Sequence, residues 1–297
     1  MKIGILGSGS WAKAIATLIA EAGNHPIIGY RKRPLIGFPG SPNAAAVTKE
    51  SDLVVIAVPA HAVREVVQTA KLTPANRVLI AARGIEPQTG NWLSEVITQE
   101  SSALRIGAIG GPAMADEVLH RRPTAMVAAS QFEELQQMAQ QALHSPICRL
   151  YTSNDLIGVQ LASAMVGALT IALGIAEALN QGVGVRGVIV TRGIAEAIRL
   201  GEKLGANPAT FTGLSGVGDL VACGSLPNHP GFAAGRNLGQ GKKLPNAMRE
   251  EINALVTLAT SNDIELPITE AVTHIANGTI RPRLAIDMLM RREAREE

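Results

Sequence analysis

The sequence predicts an α/β domain built on a doubly wound parallel sheet, followed by an all-α domain. Up to about residue 152, short β-branched runs alternate with helical stretches, which is typical of a sheet with crossover helices. A glycine-rich turn follows the first of these runs. After residue 152 there is no strand-like run, only long segments rich in Ala and Leu. We therefore expect domains at 1–152 and 153–297.

Seven strands and five helices are predicted in the first domain. Continuous apolar runs such as LVVIAVP and RVLIAA indicate strands that are covered on both faces. The strands are expected at 2–6, 26–30, 53–58, 77–82, 105–109, 124–129 and 147–151, and the helices at 10–22, 60–70, 88–99, 112–120 and 131–143. Ser153 or Asp155 is expected to cap the first helix of the second domain.

Composition narrows the class of protein. The chain is 46% hydrophobic and 18% charged with a net charge of +2, so we expect no nucleic-acid partner. Cys148 and Cys223 form no metal-binding pattern, which indicates no metal site and a reducing, cytoplasmic location. The first strand begins too early to leave room for a signal peptide.

One uncharged stretch, residues 161–176, raises the question of a membrane span. It is rich in small residues, it is shorter than the roughly 20 residues a span needs, and Glu177 follows it directly. We expect a helix buried inside the second domain, and no membrane partner.

The turn at residues 7–12, GSGSWA, has the form of a cradle for a dinucleotide pyrophosphate. Gly7 and Gly9 allow bare backbone to approach the anion, and the small Ala12 lets the next helix lie close to the strand. That helix begins with Ser10 and Trp11, and its first N–H groups face the anion. A simple tight turn is the alternative. The strand before it and the amphipathic helix after it favour a Rossmann-type domain.

The end of the second strand indicates which dinucleotide is bound. A chain that prefers NAD usually carries an acidic residue there, whereas this strand ends in Tyr-Arg-Lys-Arg, residues 30–33. Cations suit the 2′-phosphate of NADP, and Arg31 is suited to stacking on the adenine. A solvated basic loop is the alternative. We expect NADP, with NAD possible.

Several phrases, taken together, resemble the bacterial NAD(P)-dependent glycerol-3-phosphate dehydrogenases. Besides the opening turn, they are AVPAHAVREV (57–66), ARGIE (82–86), GGPAMADEV (110–118), the stretch 191–221 and the stretch 264–292. The resemblance implies hydride transfer between NAD(P)H and dihydroxyacetone phosphate or a related small carbonyl compound. It also implies a homodimer, and a helical domain similar to the C-terminal domain of 6-phosphogluconate dehydrogenase.

The resemblance also implies roles for individual residues. The cofactor site would comprise Gly7, Gly9, Ser10, Trp11, Ala12, Arg31 and Ala115. Arg83 and Asp219 would be catalytic and would bind the substrate together with Gly111 and His229.

The chain departs from the family pattern where the chemistry takes place. The family's catalytic Lys-Asn pair falls on Val166 and Gly167, its second active-site lysine falls on Arg83, and its phosphate-binding Ser-Arg-Asn triplet falls on 229–231. A placed general acid contributes about 10²–10⁴ in rate, and neither valine nor arginine supplies a proton.

Two hypotheses therefore stand. In the first, the chain is an enzyme of this family. It either accepts the usual substrate slowly through Arg83 and backbone donors, or reduces a different, less anionic carbonyl compound with His61, His229 or water as the proton source. In the second, it is a non-catalytic NADP-binding sensor or partner protein that has lost its lysine. The side chains that line the cleft distinguish them.

Overall fold

The buried β-branched runs form the strands of one sheet. In chain order, these are β1 (Ile3–Leu6), β2 (Pro26–Gly29), β3 (Gly40–Ser41), β4 (Leu53–Ile56), β5 (Arg77–Ile80), β6 (Arg105–Gly110), β7 (Thr124–Ser130) and β8 (Cys148–Ser153). The computed structural model describes residues 1–291. Arg292, at the end of the last family phrase, and the expected end of the second domain at 297 lie outside the described residues.

In the described part of the chain, six helices alternate with the strands, and eight more follow the last strand. The helices of the first part are α1 (Ser10–Glu21), α2 (Ala44–Lys49), α3 (Val63–Ala70), α4 (Leu93–Glu100), α5 (Ala115–Leu119) and α6 (Glu133–Leu143). Those that follow are α7 (Leu156–Ala178), α8 (Val183–Lys203), α9 (Pro208–Thr212), α10 (Asp219–Ser225), α11 (Pro230–Gly239), α12 (Asn246–Thr260), α13 (Pro267–Ala276) and α14 (Pro282–Met290). A 3₁₀ turn (Ala60–Ala62) precedes α3, and a π-helical turn (Leu214–Gly218) precedes α10.

The strand order creates a ligand-binding edge. Across the sheet the order is β3-β2-β1-β4-β5-β6-β7-β8, and pairing is parallel from β3 to β6. Leu6 of β1 lies opposite both Gly29 and Ile56, so the carboxyl ends of three neighbouring strands meet beside the glycine turn. The chain leaves β1 toward one side and returns on the other, which makes this the topological switch point of the sheet.

The sheet departs from the predicted parallel arrangement at β7. This strand pairs antiparallel with β6, with Gly107 opposite Ser130, and β8 runs parallel to β7. The connecting helix α5 has five residues and is about 7 Å long, whereas β6, with six residues, spans about 20 Å. Residues 111–123, which include α5, connect the two strands, and β7 starts beside the end of β6.

The predicted strands are confirmed to within about two residues, and the errors have local causes. Two short elements were not predicted: β3, which has two residues, and α2, a six-residue helix. Asn43 caps α2 by accepting a hydrogen bond of 3.2 Å from Ala46 N. The helix expected at 88–99 begins only at Leu93. Before it, Gly90 N donates to Glu86 O at 2.8 Å and closes a turn.

The long apolar helix α7 is the centre of the helical core. Asp155 caps it, as expected, by accepting a hydrogen bond from Gly158 N at 2.9 Å. Of its most apolar 18-residue window, 83% is buried inside the protein. At the crossing with α11, a Cβ added at Gly174 would lie 2.2 Å from the Phe232 carbonyl oxygen. The glycine thus allows the two backbones to touch, and the prediction of an internal helix is confirmed.

A buried carboxyl group in the helical core predicts a pH-dependent stability. Glu196 of α8 is 2% exposed and accepts hydrogen bonds from Ile268 N at 2.6 Å and from Thr269 Oγ1 at 3.1 Å. Burial nevertheless raises its pKa to about 7. The folded protein then holds a proton that the unfolded chain releases near pH 4.5, so the free energy of unfolding falls as pH rises from there toward 7. The loss amounts to about 3 kcal/mol.

We expect Glu196→Gln to remove this dependence, so that wild type and variant diverge above pH 5 in urea unfolding. Glu202→Gln, on an exposed position of the same helix, is the matched control and should follow wild type. Equal pH slopes for all three proteins would contradict the prediction.

Candidate active site

A cleft of about 550 Å³ lies between the carboxyl edge of the sheet and the helical core. On one side are the turns after β1, β4, β5 and β6. On the other side are α7, the beginnings of α10 and α11, and one face of α12. The switch point of the sheet therefore opens directly onto helical side chains.

The turn after β1 fits an anionic group that approaches the backbone. Gly7 has φ +133°, and a Cβ there would lie 2.3 Å from the Ala57 carbonyl oxygen. Gly9 is the residue just before α1, and no side chain caps the helix there. A Cβ at Gly9 would have no atom of the described residues within 4 Å. The leading N–H groups of α1 consequently point out of the helix, which is the arrangement that holds a pyrophosphate.

Most of the predicted cofactor-binding residues reach the cleft. Gly9, Ser10, Trp11 and Ala115 line it. Trp11 is held in place by a hydrogen bond of 2.7 Å from its Nε1 to Ala81 O at the end of β5. Gly7 lies behind the cleft wall, and Ala12 is fully buried where α1 meets the sheet.

Arg31 follows β2, outside the cleft. Its side chain is 72% exposed, and Nη1 lies 3.2 Å from Oε1 of Glu65 on α3. The sequence shows no acidic residue close to Arg31 along the chain, but the fold supplies one from the helix after β4. An exposed pair of this kind contributes about 1 kcal/mol or less, so it leaves Arg31 available to an anion.

Arg83 and Asp219 form a bidentate ion pair across the cleft. Nη1 and Nη2 of Arg83 lie 2.5 Å and 2.6 Å from the two carboxylate oxygens of Asp219, which is 1% exposed. Burial lowers the pKa of Arg83, but the charge of Asp219 raises it above its ordinary value. Burial likewise raises the pKa of Asp219, and Arg83 opposes that effect. The pair thus joins the turn after β5 to the start of α10.

Neighbouring residues hold both partners in place. Arg64 of α3 binds Glu86, at the end of the Arg83 turn, through two hydrogen bonds of 2.7 Å. On the other side, the π-helical turn before Asp219 packs so tightly that a Cβ at Gly216 would lie 1.9 Å from the Phe211 carbonyl oxygen. Irregular turns of this kind are frequent at functional sites.

Of the two candidate histidines, only His229 lines the cleft. His229 begins α11, and its Nδ1 is buried without a hydrogen-bond partner among the described residues. Burial and the charge of Arg83 lower its pKa to about 4, so the ring is neutral at physiological pH. His61 is exposed in the 3₁₀ turn, outside the residues that line the cleft, and its role as a proton source stays a prediction.

Gly111 lies on the cleft wall, as predicted. Its φ of +118° turns the chain after β6, and a Cβ there would lie 3.2 Å from the Ala125 carbonyl oxygen. Val166, the position that aligns with the family lysine, does not line the cleft. It is 1% exposed and packs within the helical core. Its neighbour Gly167 is the residue that faces the cleft.

Glu251 of α12 was missed by the sequence analysis. Its Oε2 lies 3.4 Å from the point where a Cβ of Gly84 would stand, next to Arg83. Glu251 is half-buried, and this partial burial raises its pKa to about 7. The sequence does contain a sign that Glu251 faces the protein interior. Met248, Ile252 and Leu255 form an apolar stripe on one face of the helix, and Glu251 falls within that stripe. The adjacent Glu250 makes the pair look like an ordinary solvated face.

No group of three or more His, Cys, Asp or Glu side chains that could hold a metal ion occurs within residues 1–291. Cys148 and Cys223 are both free and buried. Arg83 is the one cation among the described residues that line the cleft.

The switch-point cleft, the glycine cradle and the helical cover define a two-domain dinucleotide-binding protein. The chain matches the family described as NAD-dependent glycerol-3-phosphate dehydrogenase, with its N-terminal part at residues 39–136 and its C-terminal part at 155–287. It belongs to that family.

Curated relatives and solved structures agree with this assignment. The glycerol-3-phosphate dehydrogenase [NAD(P)+] of Streptomyces coelicolor is 33% identical over 100% of this chain and 98% of its own. That of Bradyrhizobium is 35% identical over 99% and 98%. The crystal structure of glycerol-3-phosphate dehydrogenase from Coxiella burnetii superposes with a TM-score of 0.90 at 27% identity and covers 98% of this chain and 99% of the other.

Proposed function

We propose that this protein is an NADP-dependent oxidoreductase that transfers a hydride between NAD(P)H and dihydroxyacetone phosphate or a related small carbonyl compound. One observation carries the proposal: the cleft joins a dinucleotide cradle to the ion pair between the half-exposed Arg83 and the buried Asp219. The relatives that match the whole chain are named glycerol-3-phosphate dehydrogenases.

The cleft residues and the neighbouring Arg31 each have a role in this reaction. The turn with Gly7 and Gly9 and the start of α1 hold the pyrophosphate, Arg31 faces the adenosine end, and the bound nicotinamide supplies or accepts the hydride. Arg83 binds the carbonyl side of the substrate, and Asp219 fixes the orientation of its guanidinium group.

The substrate phosphate has fewer donors here than the family pattern provides. At the start of α11, where the family carries Ser-Arg-Asn, the chain offers His229, Pro230 and Gly231. A phosphate there would bind to backbone N–H groups and to Arg83. No second cationic side chain is available among the described residues that line the cleft. We therefore expect dihydroxyacetone phosphate to bind with a high KM.

The chain acts in the cytoplasm as a homodimer with a small-molecule substrate and without nucleic-acid or membrane partners. The near-neutral charge, the buried free cysteines and the burial of α7 support this part of the proposal. We divide the chain at residues 152 and 153, between β8 and α7. Among the described residues that line the cleft, none favours the non-catalytic alternative.

Loss of NADPH absorbance in the presence of dihydroxyacetone phosphate tests the proposal, with NADPH binding measured in parallel. We expect turnover, and faster turnover with NADPH than with NADH because Arg31 faces the 2′-phosphate. Tight NADPH binding without oxidation by dihydroxyacetone phosphate or any other short hydroxycarbonyl compound would contradict the proposal.

A further inference from the structure

We propose that Glu251 is the proton donor in carbonyl reduction and the proton acceptor in alcohol oxidation. This inference rests on the proposed function, since it assigns a catalytic residue to the same cleft. It gives the protein a general acid on α12 in place of the lysine that the family carries on α7.

The position of Glu251 is the first support. Its carboxyl group lies over Gly84, with Oε2 and Cδ both 3.4 Å from the point where a Cβ would stand. The same point is 3.8 Å from Cβ of Ala60, in the turn after β4. The carboxyl group therefore sits where the turns after β4 and β5 meet, one residue away from Arg83. The absence of a side chain at Gly84 provides the space that it occupies.

The other ionisable groups that line the cleft are unsuited to donating a proton. Arg83 holds its proton far too tightly, and both carboxylate oxygens of Asp219 already accept hydrogen bonds from it. His229 is neutral at physiological pH because its pKa is about 4, and a neutral imidazole is a weak acid. Within the described part of the cleft, Glu251 remains.

The carboxyl group of Glu251 is free to take part. No hydrogen bond or ion pair engages it among residues 1–291, and burial raises its pKa to about 7, which is near the optimum for a group that both gives and takes a proton. Arg83, Asp219 and His229 line the same cleft as Glu251, and the first two form a neutral pair.

The other charged residues of α12 and those of α13 do not line the cleft beside the Glu251 carboxyl group. On α13, Glu270 accepts from Leu266 N at 3.1 Å and His274 Nδ1 lies 3.1 Å from Thr279 Oγ1, and neither lines the cleft. On α12 itself, Arg249 and Glu250 also lie outside the cleft wall.

The proton balance is simple. In reduction, the carbonyl carbon receives the hydride from the reduced nicotinamide, and the carbonyl oxygen receives the proton from the Glu251 carboxyl group. The nicotinamide is oxidised, the ketone becomes an alcohol, and the Glu251 carboxylate regains its proton from water. In oxidation, the carboxylate takes the hydroxyl proton as the hydride leaves.

A pH dependence of opposite sign follows for the two directions. Reduction needs the protonated acid, so its kcat should fall as pH rises through about 7. Oxidation needs the carboxylate, so its kcat should rise over the same interval. A lysine donor would keep its proton in this range.

The test compares Glu251→Gln with Glu250→Gln, a matched change at an exposed neighbour. We expect Glu251→Gln to lower kcat by about 10²–10⁴-fold and to abolish the inflection near pH 7, with NADPH Kd within about twofold of wild type. Glu250→Gln should retain the wild-type kcat and pH profile.

A second readout does not depend on turnover. In protein labelled with ¹³C at the glutamate carboxyl carbons, the signal that is missing from Glu251→Gln should titrate near pH 7 in wild type. Titration near the ordinary value of about 4.3 would overturn the inference, because the group would hold no proton to give.

Two further outcomes would also overturn it. A wild-type kcat in Glu251→Gln would show that another group supplies the proton, and loss of NADPH binding with retained kcat would make Glu251 a cofactor ligand. In both cases wild type turns over and the proposed function stands, whereas a wild-type protein without turnover would refute the function and this inference together.

Discussion

Arg83→Met is expected to lower the free energy of unfolding by about 1–3 kcal/mol and to abolish turnover. Asp219 is 1% exposed, and Arg83 neutralises its charge through two hydrogen bonds. Without the guanidinium group, the carboxylate would remain buried without its hydrogen-bond donors. The Arg83 side chain is 36% exposed, so water can reach this side of the pair and the cost is smaller than for a pair buried on both sides. Urea unfolding of the purified variant measures the stability, and NADPH oxidation measures the activity.

Two companion variants make this prediction specific. Arg31→Met removes an exposed pair with Glu65 and should cost about 1 kcal/mol or less. Adding Asp219→Asn to Arg83→Met removes the stranded charge, so we expect the double variant to regain most of the lost stability while remaining inactive. A single Arg83→Met variant as stable as Arg31→Met would contradict the ion pair with the buried Asp219.

Gly7→Ala is expected to lower the free energy of unfolding by about 2–6 kcal/mol, whereas Gly9→Ala should leave it unchanged. At Gly7 the backbone has φ +133°, and a Cβ would lie 2.3 Å from the Ala57 carbonyl oxygen, so strain and overlap add. At Gly9 a Cβ meets no protein atom within 4 Å. Thermal or urea unfolding separates the two variants directly.

Gly9→Ala should bind NADPH more weakly than wild type, although the two proteins should be equally stable. The space beside Gly9 is the space that the pyrophosphate would use, so a methyl group there should weaken binding by about tenfold or more. Wild-type affinity in Gly9→Ala would place the dinucleotide elsewhere, and normal stability in Gly7→Ala would contradict the close contact with Ala57.

The sheet and the helical domain were predictable because their signals are local. Apolar runs such as LVVIAVP locate the buried strands, and the uncharged stretch 161–176 locates the central helix. The reversal at β7 was not predictable from periodicity, since a strand has the same apolar pattern in either direction. The reversal shows only in the pairing itself, where Gly110 lies opposite Val127.

The candidate site was predictable only in part. The glycine turn could be recognised in the sequence because its residues are adjacent along the chain. Arg83 and Asp219 were identified through the family resemblance. Their contact joins residues 136 apart, and that between Arg31 and Glu65 joins residues 34 apart, so neither follows from spacing. Glu251 escaped notice because its chemistry comes from burial over Gly84, which depends on how α12 packs against the sheet domain.

Transfer of a labelled hydride tests the central claim most directly. Purified protein would be incubated with dihydroxyacetone phosphate and NADPH that carries deuterium at both C4 positions of the nicotinamide, and the product would be analysed by mass spectrometry. The account predicts glycerol phosphate with one deuterium on the former carbonyl carbon, in an amount that matches the NADPH oxidised. Unlabelled product, or NADPH that stays reduced while bound to the protein, would contradict it.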